Sequence, residues 1–142
     1  MIIPLTGVLS VVCGYTDFKY RKIFNKITFP SILFGFIYGF LSNGFEGLYS
    51  SFLGFLLGLG ILLIPFILGG MGAGDVKMLA MVGALTGPIF VLKAFAWGAV
   101  LGGVFALYYL FVLKKSRKEY IPYGIPLAIG VLIQIAIDMV MV

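Results

Sequence analysis

The chain of 142 residues is 62% hydrophobic and 11% charged, with a mean hydropathy of +1.17; a soluble domain is about half apolar and about a quarter charged, so this is the composition of a polytopic membrane protein with one bundle and no separate soluble domain. It has no histidine and one cysteine, Cys13, which excludes Ser-His and Cys-His nucleophile pairs, an intrachain disulfide and a Cys-x-x-Cys zinc motif, so no metal and no cofactor are expected. The net charge of +5 sits in two short loops, where it reads as a membrane-topology signal and not as a nucleic-acid footprint.

Segment one, residues 1–16, lacks a basic n-region and an A-x-A cleavage site, so a retained helix is expected there. It falls short of the roughly 20 residues needed to span and is expected to continue past Asp17, placing that carboxylate at the membrane surface. Residues 17–26 follow as a loop with four basic residues. Segment two is 27–42, with Pro30 in its first turn, where a missing N–H does no harm. Asn43-Gly44-Phe45-Glu46-Gly47 is a turn by composition. Segment three, 48–68, is long enough to span and carries Pro65 near its end. The stretch Gly69-Gly70-Met71-Gly72-Ala73-Gly74-Asp75-Val76-Lys77 then delivers one carboxylate and one lysine between two apolar segments. Segment four, 76–86, is stopped by Gly87-Pro88 after barely three turns. At 1.5 Å per residue it covers about half of a hydrocarbon core about 30 Å thick, so either Asp75 lies below headgroup level or the bilayer thins there. Segment five is 89–113, residues 114–119 form the second basic loop, and segment six is 121–142.

The expected fold class is therefore all-α: one domain over 1–142, a bundle of six transmembrane helices in the lipid bilayer of the cytoplasmic (inner) membrane. If the loop at Asp17 is cytoplasmic, so are the turn at Asp75 and the loop at Lys114. Nine of the ten Lys and Arg residues then fall on that side, Lys93 being the exception; this positive-inside pattern puts both termini outside. The same parity sets Asp17 and Asp75 on one face. Gly35/Gly39, Gly54/Gly58, Gly83/Gly87 and Gly98/Gly102 are G-x-x-x-G pairs, the spacing that lets helices approach closely in lipid.

An acid at the edge of a bilayer is expensive and needs a reason. Two carboxylates a few Å apart cannot easily both ionise, so a pair of Asp17 and Asp75 would hold one proton over a useful pH range. The ionised member takes a proton from water as it attacks a peptide carbonyl; the protonated member serves the carbonyl oxygen and then the leaving amine. Neither role can be assigned to one Asp from the residues, because the titrations are coupled. Gly72 and Gly74 are expected to let the backbone turn sharply beside an extended substrate. Asp75 would sit at a helix N-terminus, which favours its anion, and Lys77 would snorkel to headgroups or touch a carboxylate. The plainer reading stands beside this one: Asp75 as an N-cap and Asp17 as a solvated acid paired with a neighbouring Lys or Arg. Lys93 and Asp138 read as structural, Gln134 as an interhelical hydrogen bond, Cys13 as a small packer, and Glu46 and Glu119 as solvated.

Gly72-Ala73-Gly74-Asp75-Val76-Lys77 resembles the GxGD-x-K motif of the type IV prepilin peptidases. Asp17, ahead of Ile23-Phe24-Asn25, resembles that family's first aspartate, which is followed by Ile-Pro-Asn; here the proline is missing. Pro122-Tyr123-Gly124-Ile125-Pro126 resembles the proline–glycine segment that opens the family's last helix. The resemblance implies an aspartic endopeptidase with Asp17 and Asp75 catalytic and Gly72, Gly74 and Lys77 near substrate. The implied substrates are type IV prepilin or pseudopilin precursors with a short basic leader, cut at the cytoplasmic face. Family members that also N-methylate carry paired Cys-x-x-Cys motifs, so cleavage without methyl transfer is expected of this chain. Two alternatives remain: a presenilin or signal-peptide-peptidase type of GxGD protease, cutting within the bilayer, and a non-enzymatic membrane transport or assembly protein.

Overall fold

The computed structural model describes residues 2–114 and 121–142. Among the described residues the chain forms five helices and no strand: α1 (Ile2–Tyr20), α2 (Asn25–Ile67), α3 (Ala73–Thr86), α4 (Pro88–Phe111) and α5 (Gly124–Met141). Apart from Lys114, the second basic loop lies outside the described residues.

The fold is all-α, as expected, but the count of six is corrected to five. The expected turn at 43–47 uses only two non-helical residues, Asn43 and Gly44, the latter at φ +61°. Helical hydrogen bonding resumes at once, so segments two and three form one element. That element is a hairpin. Ser51 Oγ donates to the Gly35 carbonyl at 3.2 Å, whereas a straight helix would hold residues 16 apart about 24 Å from each other. Gly39 lies against Gly47, and Phe36 meets the rings of Phe52 and Phe55. Pro30 sits in the second turn, not the first, because α2 starts at Asn25. Three helices, α2, α4 and α5, are long and apolar enough to cross a membrane. The apolar run of α1 is interrupted by Thr6, Ser10, Thr16, Asp17 and Lys19, and α3 has only 14 residues.

Helix α3 is the centre of the bundle. It packs against all four other helices, and every residue from Met78 to Leu85 is buried. A helix that is apolar on all sides belongs in a core, which is why this short segment shows no polar stripe. Its neighbours come close because glycines remove side chains from the seams. Gly54 and Gly83 face each other backbone to backbone, as do Gly58 and Leu79, and a Cβ on Gly35 would lie 2.6 Å from the Ala84 carbonyl oxygen. Along the α4–α5 seam, a Cβ on Gly98 would lie 3.0 Å from the Leu127 side chain. The outward faces carry exposed Leu33, Leu41, Ile64, Val100, Val104 and Leu107, an apolar surface too extensive for water and suited to lipid.

Both ends of α3 are set by local chemistry. Helix α2 closes in a Schellman motif: Gly69 N–H donates to the Phe66 carbonyl at 3.0 Å and Gly70 N–H to the Pro65 carbonyl at 2.9 Å. Gly69 takes φ +80°, open to glycine at no steric cost. At the other end Gly87 adopts φ +88°, ψ 177° before Pro88, a conformation reserved for glycine that breaks the chain into α4.

Candidate active site

Five pieces of chain converge at one end of the bundle: the last turn of α1, the strap 21–24, the start of α2, the first turn of α3 and the start of α5. All but the α5 start border a cavity of about 220 Å³ lined by Asp17, Arg21, Lys22, Asn25, Asp75 and Lys77, with Ile23, Gly72, Ala73 and Gly74. The two carboxylates lie 58 positions apart in sequence, and each is 2% exposed.

Asp17 lies within α1 and not in the loop that follows. Its Oδ2 accepts the Gly124 N–H at 2.9 Å. Gly124 has no room for a side chain, since a Cβ there would lie 2.7 Å from that same oxygen. Asp75 is the third residue of α3, not its cap. The cap is Gly72, whose side has no polar atom to offer, and the Gly72 N–H hydrogen-bonds the Asp75 carboxylate, which is one half of a capping box. The other oxygen, Oδ1, is buried with no partner among the described residues. Burial, and after it the charge of Asp17, push the Asp75 carboxyl up from 3.8 to about 7, against the pull of the Gly72 N–H. Tyr123 is pushed up by burial and then by the charge of Asp75, so the start of α5 feels both acids.

The glycine-rich stretch works differently from the sequence-based expectation. Its sharp bend is at Gly69, whereas Gly72 has φ −81°, ψ 155°, open to any residue. Gly74 lies in α3, where a Cβ would come 3.1 Å from the Ile23 side chain. The strap thus packs directly on the α3 start. Among the described residues Lys77 reaches an amide and not a carboxylate: its Nζ donates to Asn25 Oδ1 at 2.7 Å and lies 5.8 Å from the Phe29 ring centre. That bond ties α3 to the start of α2 across the cavity rim.

The remaining polar residues lie elsewhere. Gln134 bonds along its own helix, not between helices, donating to Asp138 at 2.7 Å. Lys93 is exposed on α4, and Cys13 is fully buried in α1. Sequence reasoning did not single out Gly124 or Asn25 as site residues. Asn25 carried a signal in the Ile23-Phe24-Asn25 triplet and Gly124 one in the segment 122–126, but nothing in that segment marks the Gly124 N–H as a partner for Asp17. No cluster of His, Cys, Asp or Glu able to hold a metal ion exists among the described residues.

A membrane-type helical bundle with two buried carboxylates in one cavity has the parts for acid–base hydrolysis. The family model for type IV leader peptidases matches residues 5–107, and the chain belongs to that family. The prepilin leader peptidase/N-methyltransferase of Bacillus subtilis (strain 168) is 24% identical over 125 residues, covering 86% of this chain and 50% of that protein. The chain therefore spans about half the length of the relative it matches. No solved structure matches it. The family match takes in Asp17, Asp75 and Lys77 and ends before Gly124.

Proposed function

We propose that this chain is an aspartic endopeptidase of the cell membrane that removes the short basic leader from type IV prepilin or pseudopilin precursors. The observation that carries the reading is the pair Asp17 and Asp75, both nearly fully buried and lining one cavity. Two such carboxylates split the work of peptide hydrolysis between an acceptor and a donor of protons. Family membership and the relative's name supply the substrate class.

The orientation belongs to the same proposal. The cavity end carries Lys19, Arg21, Lys22, Lys26 and Lys77, so it faces the cytoplasm and both termini lie outside. The helices α2, α4 and α5 carry the chain across the membrane, the two arms of α2 crossing separately. Gly72, Gly74 and Lys77 border the bound peptide. Methyl transfer, which the relative's name includes, is not proposed for these residues.

The test is the cut itself. The purified chain in lipid, given a precursor with a basic leader and S-adenosylmethionine, should yield an unmethylated product shortened at the leader boundary by mass spectrometry. A cut inside the hydrophobic stretch would favour a presenilin-like reading. An intact precursor across several leaders would remove the assignment.

A further inference from the structure

The two carboxylates have unequal surroundings. Asp17 accepts the first amide of α5, an 18-residue helix whose N-terminal partial charge favours an anion. That amide cannot drift. A Cβ on Gly124 would lie 3.0 Å from Asp17 Cγ, and behind it a Cβ on Gly14 would lie 3.3 Å from the Gly124 carbonyl oxygen. Helix α1 and the α5 start are therefore in close contact on both sides of the hydrogen bond, through the Asp17 side chain on one and the Gly124 backbone on the other. Asp75 also has a helix start and one backbone donor, but its Oδ1 is buried without a partner among the described residues. An ionised oxygen left unpaired out of water is costly, while a protonated one awaiting an acceptor costs less.

We propose that the Gly124 backbone amide is the positioning group that divides the labour, fixing Asp17 as the proton acceptor and leaving Asp75 as the proton donor. The inference rests on the dyad reading above and assigns its two roles. In the first step water oxygen bonds to the peptide carbonyl carbon, one water proton passes to the Asp17 carboxylate, and the Asp75 proton passes to the carbonyl oxygen. In the second the C–N bond breaks, Asp17 returns its proton to the amine nitrogen, and Asp75 recovers one from a hydroxyl of the tetrahedral intermediate. Carboxylic acid and amine leave, and the pair is restored.

The upward push on Asp75, from burial and then from the Asp17 charge, agrees with this assignment. The other charged or titratable groups facing the pair are Cys13 on α1, Arg21 and Lys22 on the strap, Lys77 on α3 and Tyr123 before α5. None of these is a carboxyl group, so the acid-side behaviour belongs to the two aspartates.

The test replaces one atom. Gly124→Ala would push into Asp17 and mix packing with position. An amide-to-ester change at Gly124, made by incorporating glycolic acid, removes the donor and adds no bulk. It costs no helical bond either, because the first N–H of a helix has no intrahelical partner. The chain holds three aspartates, so carboxyl ¹³C signals can be assigned with Asp75→Asn and Asp138→Asn and followed against pH in lipid. In the wild type, Asp17 should ionise at lower pH than Asp75. In the ester, the Asp17 midpoint should rise by about one pH unit, and the acid limb of the cleavage rate should rise with it. A merely structural role would lower the rate at every pH and leave the midpoints in place, which would overturn the proposal. So would an Asp17 that ionises after Asp75. The titration needs no turnover, so it judges the division of labour even if the chain cleaves no precursor.

Discussion

Asp75 is held in a setting that opposes its ionised form, and this has a measurable consequence for stability. Its carboxyl is raised from 3.8 to about 7, so between those values the folded chain binds a proton that the unfolded chain does not. The contribution to stability is full below about pH 4 and is lost as pH rises through about 7, on the order of a few kcal/mol. Thermal unfolding followed by helical ellipticity should therefore show the wild type losing stability from pH 4 to pH 8, with a clearly flatter slope in Asp75→Asn. An identical slope in the variant would mean that the carboxyl is not strained. At this scale much of the site was legible in the sequence. A chain with five acidic residues offers few candidates, and a carboxylate after Gly-Ala-Gly between apolar runs stands out. The Gly124 amide was not legible as a partner, since donors on the backbone are common to every sequence. Nor was the Lys77–Asn25 bond, which joins positions 52 apart.

The helices themselves were read closely, and the misses have one cause. The segment boundaries at Thr86 and Ile89 came from Gly87-Pro88, whose backbone demands are local, and α3 and α4 meet them within a residue. The hairpin at Asn43-Gly44 reads from composition as a turn over 43–47, because composition marks turns without saying how few residues leave the helix. The G-x-x-x-G pairs showed that close seams were available, but not which faced which; that is decided by α3 lying between the arms of α2 and the α4–α5 pair. The seams make a sharp contrast testable. A Cβ at Gly83 would overlap the Gly54 carbonyl, while Gly103 has nothing within 4 Å of its own. Gly83→Ala should lower stability by about 1–3 kcal/mol through overpacking. Gly103→Ala should stay within about 0.5 kcal/mol of the wild type. Equal effects in thermal unfolding would show that the α2–α3 seam is looser than described.

Taken whole, the molecule is a lipid-facing shell of helices around one short buried helix, and it exposes chemistry only where that helix begins. Helix α3 delivers Asp75, α1 delivers Asp17, and α5 delivers the amide that holds Asp17. The remaining length of each element serves to put those three starts and ends at one level. Counting segments by parity set both acids on one face without any knowledge of packing; the cavity itself needed the tertiary structure, because its walls join residues 17–25 to residues 72–77, far apart in the chain. The central claim is that the two carboxylates act as one unit. It is tested most directly by precursor cleavage with Asp17→Asn, Asp75→Asn and the double variant, each checked for helical content. Each single change should lower the rate by about 10³-fold or more, and the double variant should fall no further than the singles. Full rate in either single variant, or losses that multiply in the double, would contradict the account.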